Sequence, residues 1–315
     1  MTENEGNWER ELVTKLASAA LREQRRARLW GIFFKLLTFA YLSLVLLMAM
    51  DWKGRSDIGG GGKHTAMVDL NGVIAPGSDA SAEKVMASLQ AAFKDKNTQG
   101  VVLRINSPGG SPVQSQTIYD EMRRLRKKYP DIPLYVVVED ICASGGYFVA
   151  SAADRIYVSK SSIVGSIGVL MNGFGFTGLM EKLGVERRLI TAGENKGMLD
   201  PFSPLSAKDK EHEVALIKDV HEQFISAVRE GRGKRLKETP DMFSGLIWTG
   251  QKSIENGLAD GLGSLESVAR DVIKAEEIVD YTQKENIAEK VARRFGAGAM
   301  GSLLEFATRS GPAIH

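Results

Sequence analysis

The sequence predicts an α/β layered fold with largely parallel strand pairing, preceded by one transmembrane helix. Three observations carry that reading. Trp30 to Met50 (WGIFFKLLTFAYLSLVLLMAM) is an apolar run of the right length, since about 20 such residues cross the hydrocarbon core of a bilayer. From about residue 65, β-branched runs alternate with amphipathic helical patterns, as in stacked βα units. The 315 residues are 43% hydrophobic and 25% charged, a globular composition that excludes a mostly disordered chain.

Taken in order, residues 1–29 precede the anchor and carry Arg22, Arg25, Arg26 and Arg28, offset by Glu23. The positive-inside rule puts this segment in the cytoplasm and the remainder on the far side of a cell membrane. Lys53 and Arg55 oppose that asymmetry without reversing it. Residues 30–50 form the anchor. Lys35 is the one charge in it and lies near an end, where its stem can snorkel. A cleaved signal peptide would have a shorter apolar core and a small-residue cleavage site, and Met50-Asp51-Trp52 is a poor one. Residues 51–64 include Gly59 to Gly62 and read as a flexible linker. No Gly-Lys-Ser/Thr follows these glycines, so they are not a phosphate loop.

Residues 65–281 read as one folded domain. Strands are expected at 65–70, 100–105, 134–139, 155–158 and 185–191, with helices at 81–93, 114–128 and 145–153. A long helix over 206–229 is capped by Ser206 with Asp209 three residues on, and its apolar face is Val214, Ile217, Val220, Phe224 and Val228. Residues 242–263 read as turn, short helix and return, and 282–315 as a peripheral tail. Lys and Arg (41) nearly balance Asp and Glu (39), which gives no sign of a nucleic-acid partner. The lone cysteine, Cys142, excludes an intramolecular disulfide, and the four histidines lack metal-ligand spacing.

Three segments put unusual backbone beside a polar side chain. Asn106-Ser107-Pro108-Gly109-Gly110-Ser111 follows a buried strand, so its glycines leave N–H groups open to hold an oxyanion, or simply make a Pro-Gly turn. Cys142-Ala143-Ser144-Gly145-Gly146 sets a serine at a strand-to-helix turn, which suits a nucleophile or a helix cap. Thr191 to Gly197 carries Lys196, with Met198, Leu199 and Phe202 nearby. A serine nucleophile needs a base. His64 falls in the linker, His315 is terminal, and His212 and His221 lie on the long helix. A lysine serves near neutral pH only when burial lowers its pKa. Otherwise Lys196 is a solvated surface residue.

Together these segments resemble the signal peptide peptidase A family of Ser/Lys peptidases. The matching residues are Asn106 to Gly110, Ala143-Ser144-Gly145-Gly146-Tyr147, Gly165-Ser166-Ile167-Gly168-Val169, and Gly193 to Phe202 around Lys196. Trp248-Thr249-Gly250 and Gly257-Leu258-Ala259-Asp260 match its later part. The resemblance implies the spiral of β/α units shared by caseinolytic protease and crotonase, in its short single-unit form. It implies Ser144 as nucleophile, Lys196 as general base and Ser166 as the residue that orients the lysine. The oxyanion hole would be the N–H groups of Gly110, Gly109 and Ser144. No metal or other cofactor is expected. The implied partners are peptide substrates such as released signal peptides or misfolded exported proteins, the bilayer, and further copies in a closed ring that share active sites. A crotonase-type acyl-thioester enzyme and a catalytically inactive membrane scaffold of the same fold are the alternatives.

Overall fold

The computed structural model describes residues 3–54 and 62–283. The chain divides into two units between residues 58 and 59. The first is a continuous helix, α1 (Glu3–Gly54). Within it, an 18-residue window of the stretch Thr14–Val45 has a mean hydropathy of 1.4 and buries nothing against protein. This is the one helix among the described residues long and apolar enough to cross a membrane. The rings of Trp30, Phe33 and Phe34 pack on one another with centroids 5.7 Å apart. No helix breaker stands between Met50 and Lys53, so the helix runs four residues into the expected linker. Residues 55–61 and the tail from 284 onward lie outside the described residues.

The second unit is built on three long parallel strands, β1 (His64–Asn71), β2 (Thr98–Ser107) and β3 (Leu134–Ala143). His64, expected in the linker, opens β1 and is fully buried. The crossovers are helices α2 (Ala82–Lys94) and α3 (Pro112–Lys128). Ser111 caps α3 by accepting the Gln114 N–H, and Pro112 sits where a helix tolerates it. Val68, Leu103 and Val136 share the sheet face that packs on Val85 and Leu89 of α2 and on Ile118 and Met122 of α3. Their neighbours Met67, Val102 and Val137 point the other way, onto Tyr157, Leu265 and Val268. Burial on both faces is why these strands read as near-continuous apolar runs.

The sheet forks along β3. Its first half pairs with β4 (Arg155–Val158) and its second half with β5 (Ile163–Gly165). Glu139-Asp140-Ile141 bulges out at the branch, where the register to β2 slips between Ile105 and Ser107. The Ser162 hydroxyl fastens that bulge by donating to the Glu139 carbonyl at 2.5 Å. Beyond β5 lies β6 (Ile247–Thr249), paired antiparallel, and beyond β4 lies β7 (Gly261–Leu262). On the opposite edge β8 (Ile278–Asp280) joins β1. The arrangement is the α/β fold expected, with β3 ending at the tip of the fork.

Short helix α4 (Gly145–Ala150) follows β3 directly and is wholly buried. After β5 the chain leaves the sheet for an arm over residues 170–205, which holds the unforeseen helix α5 (Thr177–Leu183). Residues 185–191 form no strand: Ile190 is 95% exposed, and no strand among the described residues pairs with the segment. Strand propensity needs a neighbour to act on. The chain returns through α6 (Ala207–Arg232), whose cap is the expected one, Ser206 Oγ accepting the Asp209 N–H at 3.0 Å. Its apolar face is only half used. Phe224 and Val228 are buried, and Phe224 packs on Phe148 of α4 at 5.0 Å. Val214, about three to four turns earlier, is 51% exposed. A further short helix, α7 (Gly250–Glu255), follows β6.

A buried ion pair closes the unit. Arg232 is fully buried and donates to Asp260 Oδ2 at 2.8 Å and to the Gly257 carbonyl at 2.9 Å. The same Asp260 oxygen accepts the Ile156 N–H at 2.7 Å, and Arg235 lies 3.2 Å from the other oxygen. Burial alone would raise the Asp260 pKa, but the hydrogen bond and charge of Arg232, the Ile156 N–H and the charge of Arg235 together hold it below the usual carboxylate range. A depressed carboxylate contributes stability that is complete above its unfolded pKa, about 4, and lost as pH falls through the folded value. Asp260→Asn should therefore cost about 3 kcal/mol at neutral pH, by leaving Arg232 buried and uncompensated. It should also flatten the loss of stability below about pH 4, as read from denaturant unfolding across pH.

Candidate active site

Ser144 stands at the junction of β3 and α4 with φ 51° and ψ −125°. A side-chain-bearing residue held there costs roughly 1–3 kcal/mol, so its surroundings must impose it. Two bonds do so. The Ser144 N–H donates to the Gly165 carbonyl at 2.8 Å, and its carbonyl accepts the Phe148 N–H at 2.9 Å as the first bond of α4. The strand therefore turns sharply and presents the side chain at the head of a buried helix. Ser144 makes no side-chain capping bond to that helix, so capping does not explain the residue and its hydroxyl is left for chemistry.

The Pro-Gly-Gly loop packs against this turn. Gly109 has φ 100°, and a Cβ there would lie 2.6 Å from the Gly145 nitrogen and 2.8 Å from Ser144 Cβ. Gly110 has φ 150°, and a Cβ there would meet the Ile74 carbonyl oxygen at 2.1 Å. Only glycine allows so close an approach. Ile74 N–H donates to the Gly109 carbonyl at 2.9 Å, and Ser111 N–H donates to the Ile74 carbonyl at 2.8 Å.

Of the three N–H groups expected to hold an oxyanion, one is open. The Ser144 N–H is committed to Gly165, and the Gly109 N–H donates to Ser107 Oγ at 3.1 Å. Gly110 N–H has no partner among the described residues, and neither has the N–H of Gly145. A Cβ on Gly145 would lie 3.2 Å from the Gly110 nitrogen, so the backbone carrying one open amide packs on the residue that carries the other, next to Ser144. The sequence alone points to the nucleophile's own amide, whereas the structure leaves that of Gly145 open. The signal was present: at a strand-to-helix elbow the residue after the nucleophile begins the helix, where N–H groups lack partners.

Ser166 sits beside Ser144 by register, because Ala143 pairs with Gly165 across β3 and β5. It too has a positive φ, 52°, and its N–H donates to the Leu246 carbonyl at 2.7 Å. Lys196 is not brought to the pair. It lies exposed in the arm, its backbone N–H bonded to Gly193 at 3.1 Å, and its side chain has no hydrogen bond or ion pair among the described residues. Leu199 and Phe202, expected to dry it, are themselves exposed.

Neither the lone cysteine nor the histidines at 64 and 221 serve Ser144, and His315 lies outside the described residues. Cys142 is fully buried, and burial pushes its thiol well above the ordinary value, the reverse of an activated thiolate. The His221 ring faces the Ile167 carbonyl at 3.2 Å, and His64 faces the Tyr281 hydroxyl at 3.0 Å at the far end of β1. Neither hydrogen-bonds Ser144. Among the described residues no three His, Cys, Asp or Glu side chains cluster as metal ligands would. The geometry provides a strained serine and two open amides, the parts of an acyl-transfer site.

Comparison with known proteins defines the class. The family model of peptidase family S49 matches residues 126–279, and that of Clp protease matches residues 66–164. A Methanocaldococcus jannaschii protein provisionally named a protease is 32% identical over 269 residues, covering 81% of this chain and 85% of that one. An Enterococcus faecium protein provisionally named signal peptide peptidase SppA is 30% identical over 232 residues, 71% of this chain and 67% of that one. A Brucella abortus protein named as the Na(+)/H(+) antiporter NhaA is 46% identical over 209 residues, 65% of this chain, but the chain spans only 28% of its length. The chain belongs to peptidase family S49, the signal peptide peptidase A family that its motifs resemble.

The glycine loop yields a stability test. Gly109→Ala should destabilise the second unit by about 2 kcal/mol or more, through the crowded contact and the positive φ. Gly173→Ala, where a Cβ meets nothing within 4 Å, should stay within about 0.5 kcal/mol of wild type. Thermal unfolding of the two variants side by side checks the contrast.

Proposed function

We propose that the protein is a membrane-anchored serine endopeptidase that degrades released signal peptides, other exported peptides and misfolded proteins through an acyl-enzyme. The observation that carries this reading is the strained, uncapped Ser144 beside the two unpaired amides of Gly110 and Gly145. Ser144 Oγ attacks the scissile carbonyl carbon and passes its proton to neutral Lys196. The carbonyl oxygen, now negative, takes the Gly110 and Gly145 N–H groups. The amide breaks, its nitrogen leaves with the proton from Lys196, and water then hydrolyses the ester. Ser166, adjacent to Ser144, orients the lysine. Helix α1 spans the bilayer with the arginines cytoplasmic and the peptidase unit outside.

Lys196 reaches the serine of a neighbouring copy in a closed ring. In support, Lys196 is exposed within its own chain, and the arm around it presents Leu170, Phe174, Ile190 and Leu205 to solvent. The unused half of the α6 face, at Val214, adds to this surface. A neighbour covering it would supply the desolvation a lysine base requires. The same separation of Lys196 from Ser144 is what favours the second reading, an inactive membrane scaffold of this fold.

Activity decides between them. Ser144→Ala and Lys196→Ala should each abolish cleavage of apolar peptides without unfolding the protein, and Ser166→Ala should slow it about 10- to 100-fold. Rings assembled from the two inactive variants should regain roughly a quarter of the sites. Verified mixed rings without activity would confine each site to one chain. A wild type that neither cleaves peptides nor reacts with a fluorophosphonate at Ser144 would leave the scaffold.

A further inference from the structure

The oxyanion loop contains a hydroxyl with no part in the acyl-transfer scheme. Ser107, the last residue of β2, is fully buried. Its Oγ donates to the Gly72 carbonyl at 2.6 Å and accepts the Gly109 N–H at 3.1 Å. Gly72 belongs to the turn that ends β1, and its own N–H donates to the Asn106 carbonyl at 2.9 Å. One hydroxyl thus ties the end of β1 to the Pro-Gly-Gly loop and has both of its roles filled.

We propose that Ser107 is a positioning residue that selects which amide of the loop faces the oxyanion. The inference rests on the peptidase reading of Ser144. Between Ser107 and Ser111 the chain offers three amides beyond that of Ser107, since Pro108 has none. Ser107 Oγ takes that of Gly109 and Ile74 takes that of Ser111. Gly110 is left, its nitrogen 3.2 Å from where a Cβ on Gly145 would lie. Gly109 is buried and Gly110 is exposed, so the hydroxyl satisfies the amide that water cannot reach and leaves open the one a substrate can. Without it the Gly109 N–H is a buried donor in want of an acceptor, and such groups drive local rearrangement until paired. Two adjacent peptide planes share the Gly109 Cα, so turning one displaces the Gly110 N–H from the oxyanion position. The amino acid at 107 then governs transition-state binding through the loop, without touching substrate.

The test uses the full-length protein in nanodiscs and variants that separate the hydroxyl from its shape. Thr and Val share a shape and differ in the hydroxyl. Ser107→Val should turn over a fluorogenic apolar peptide about 10- to 100-fold more slowly than Ser107→Thr, with KM unchanged. Ser107→Ala, which adds no bulk, should show the same fall. Affinity for a peptide aldehyde, whose adduct carries the oxyanion, should drop by the same factor. Non-covalent peptide binding, measured with Ser144→Ala in both backgrounds, should not move. Equal kcat for the Thr and Val variants, or a Ser107→Ala enzyme as fast as wild type, would overturn the inference and leave the peptidase standing. So would equal losses of aldehyde and peptide binding, since these would mark a merely structural residue. A wild type unlabelled by fluorophosphonate at Ser144 would remove the peptidase reading, and this inference with it.

Discussion

The hydrogen bond from the Ser144 N–H to the Gly165 carbonyl bends β3 at its tip, and the rest of the site is arranged around that bend. Because the amide points sideways to β5, Ser144 is held at φ 51°, and α4 starts at the next residue. Because α4 starts there, the Gly145 amide emerges beside Ser144 with no partner among the described residues. The bond exists only because β3 forks. Its first half is occupied by β4, so β5 can approach only the second half, beyond the Glu139-Asp140-Ile141 bulge. Fold and site are therefore one construction: the branch in the sheet delivers the carbonyl that deforms the serine.

Much of the fold is legible in the residues. The runs TAMVDL, GVVLRI and LYVVVE announce buried parallel strands, and Ser206 announces the start of α6, because local pattern and tertiary environment agree at these places. The failures have a common cause. Residues 185–191 have the composition of a strand and no partner. β5 and β6 are three residues each and owe their existence to the pairing at the fork, which no local pattern encodes. His64 reads as linker from its neighbours, yet it is buried at the mouth of β1, where its ring stacks on Tyr281.

The candidate site was legible only in part, since Lys196, the expected base, stands apart from Ser144 in its own chain. Ser144, Ser166 and the Gly109–Gly110 loop are each named by their own small or turn-forming neighbours, and the structure brings them together. Which amides remain open was not legible, because that depends on whether a carbonyl from another strand has arrived. Gly165 consumes one amide and Ser107 another. Hydrogen-bond accounting of this kind needs the fold in place before it can be done.

The exposed arm carries a consequence for how such a molecule is kept harmless. If the lysine that activates one serine arrives on another copy, a newly made chain has no working site, whatever its own fold. Activity then depends on encounter, and it falls more steeply than protein amount as copies become scarce. Confinement to a membrane plane raises the encounter rate where copies accumulate and nowhere else. A hydrolase whose site was shared in this way would be held latent by dilution alone.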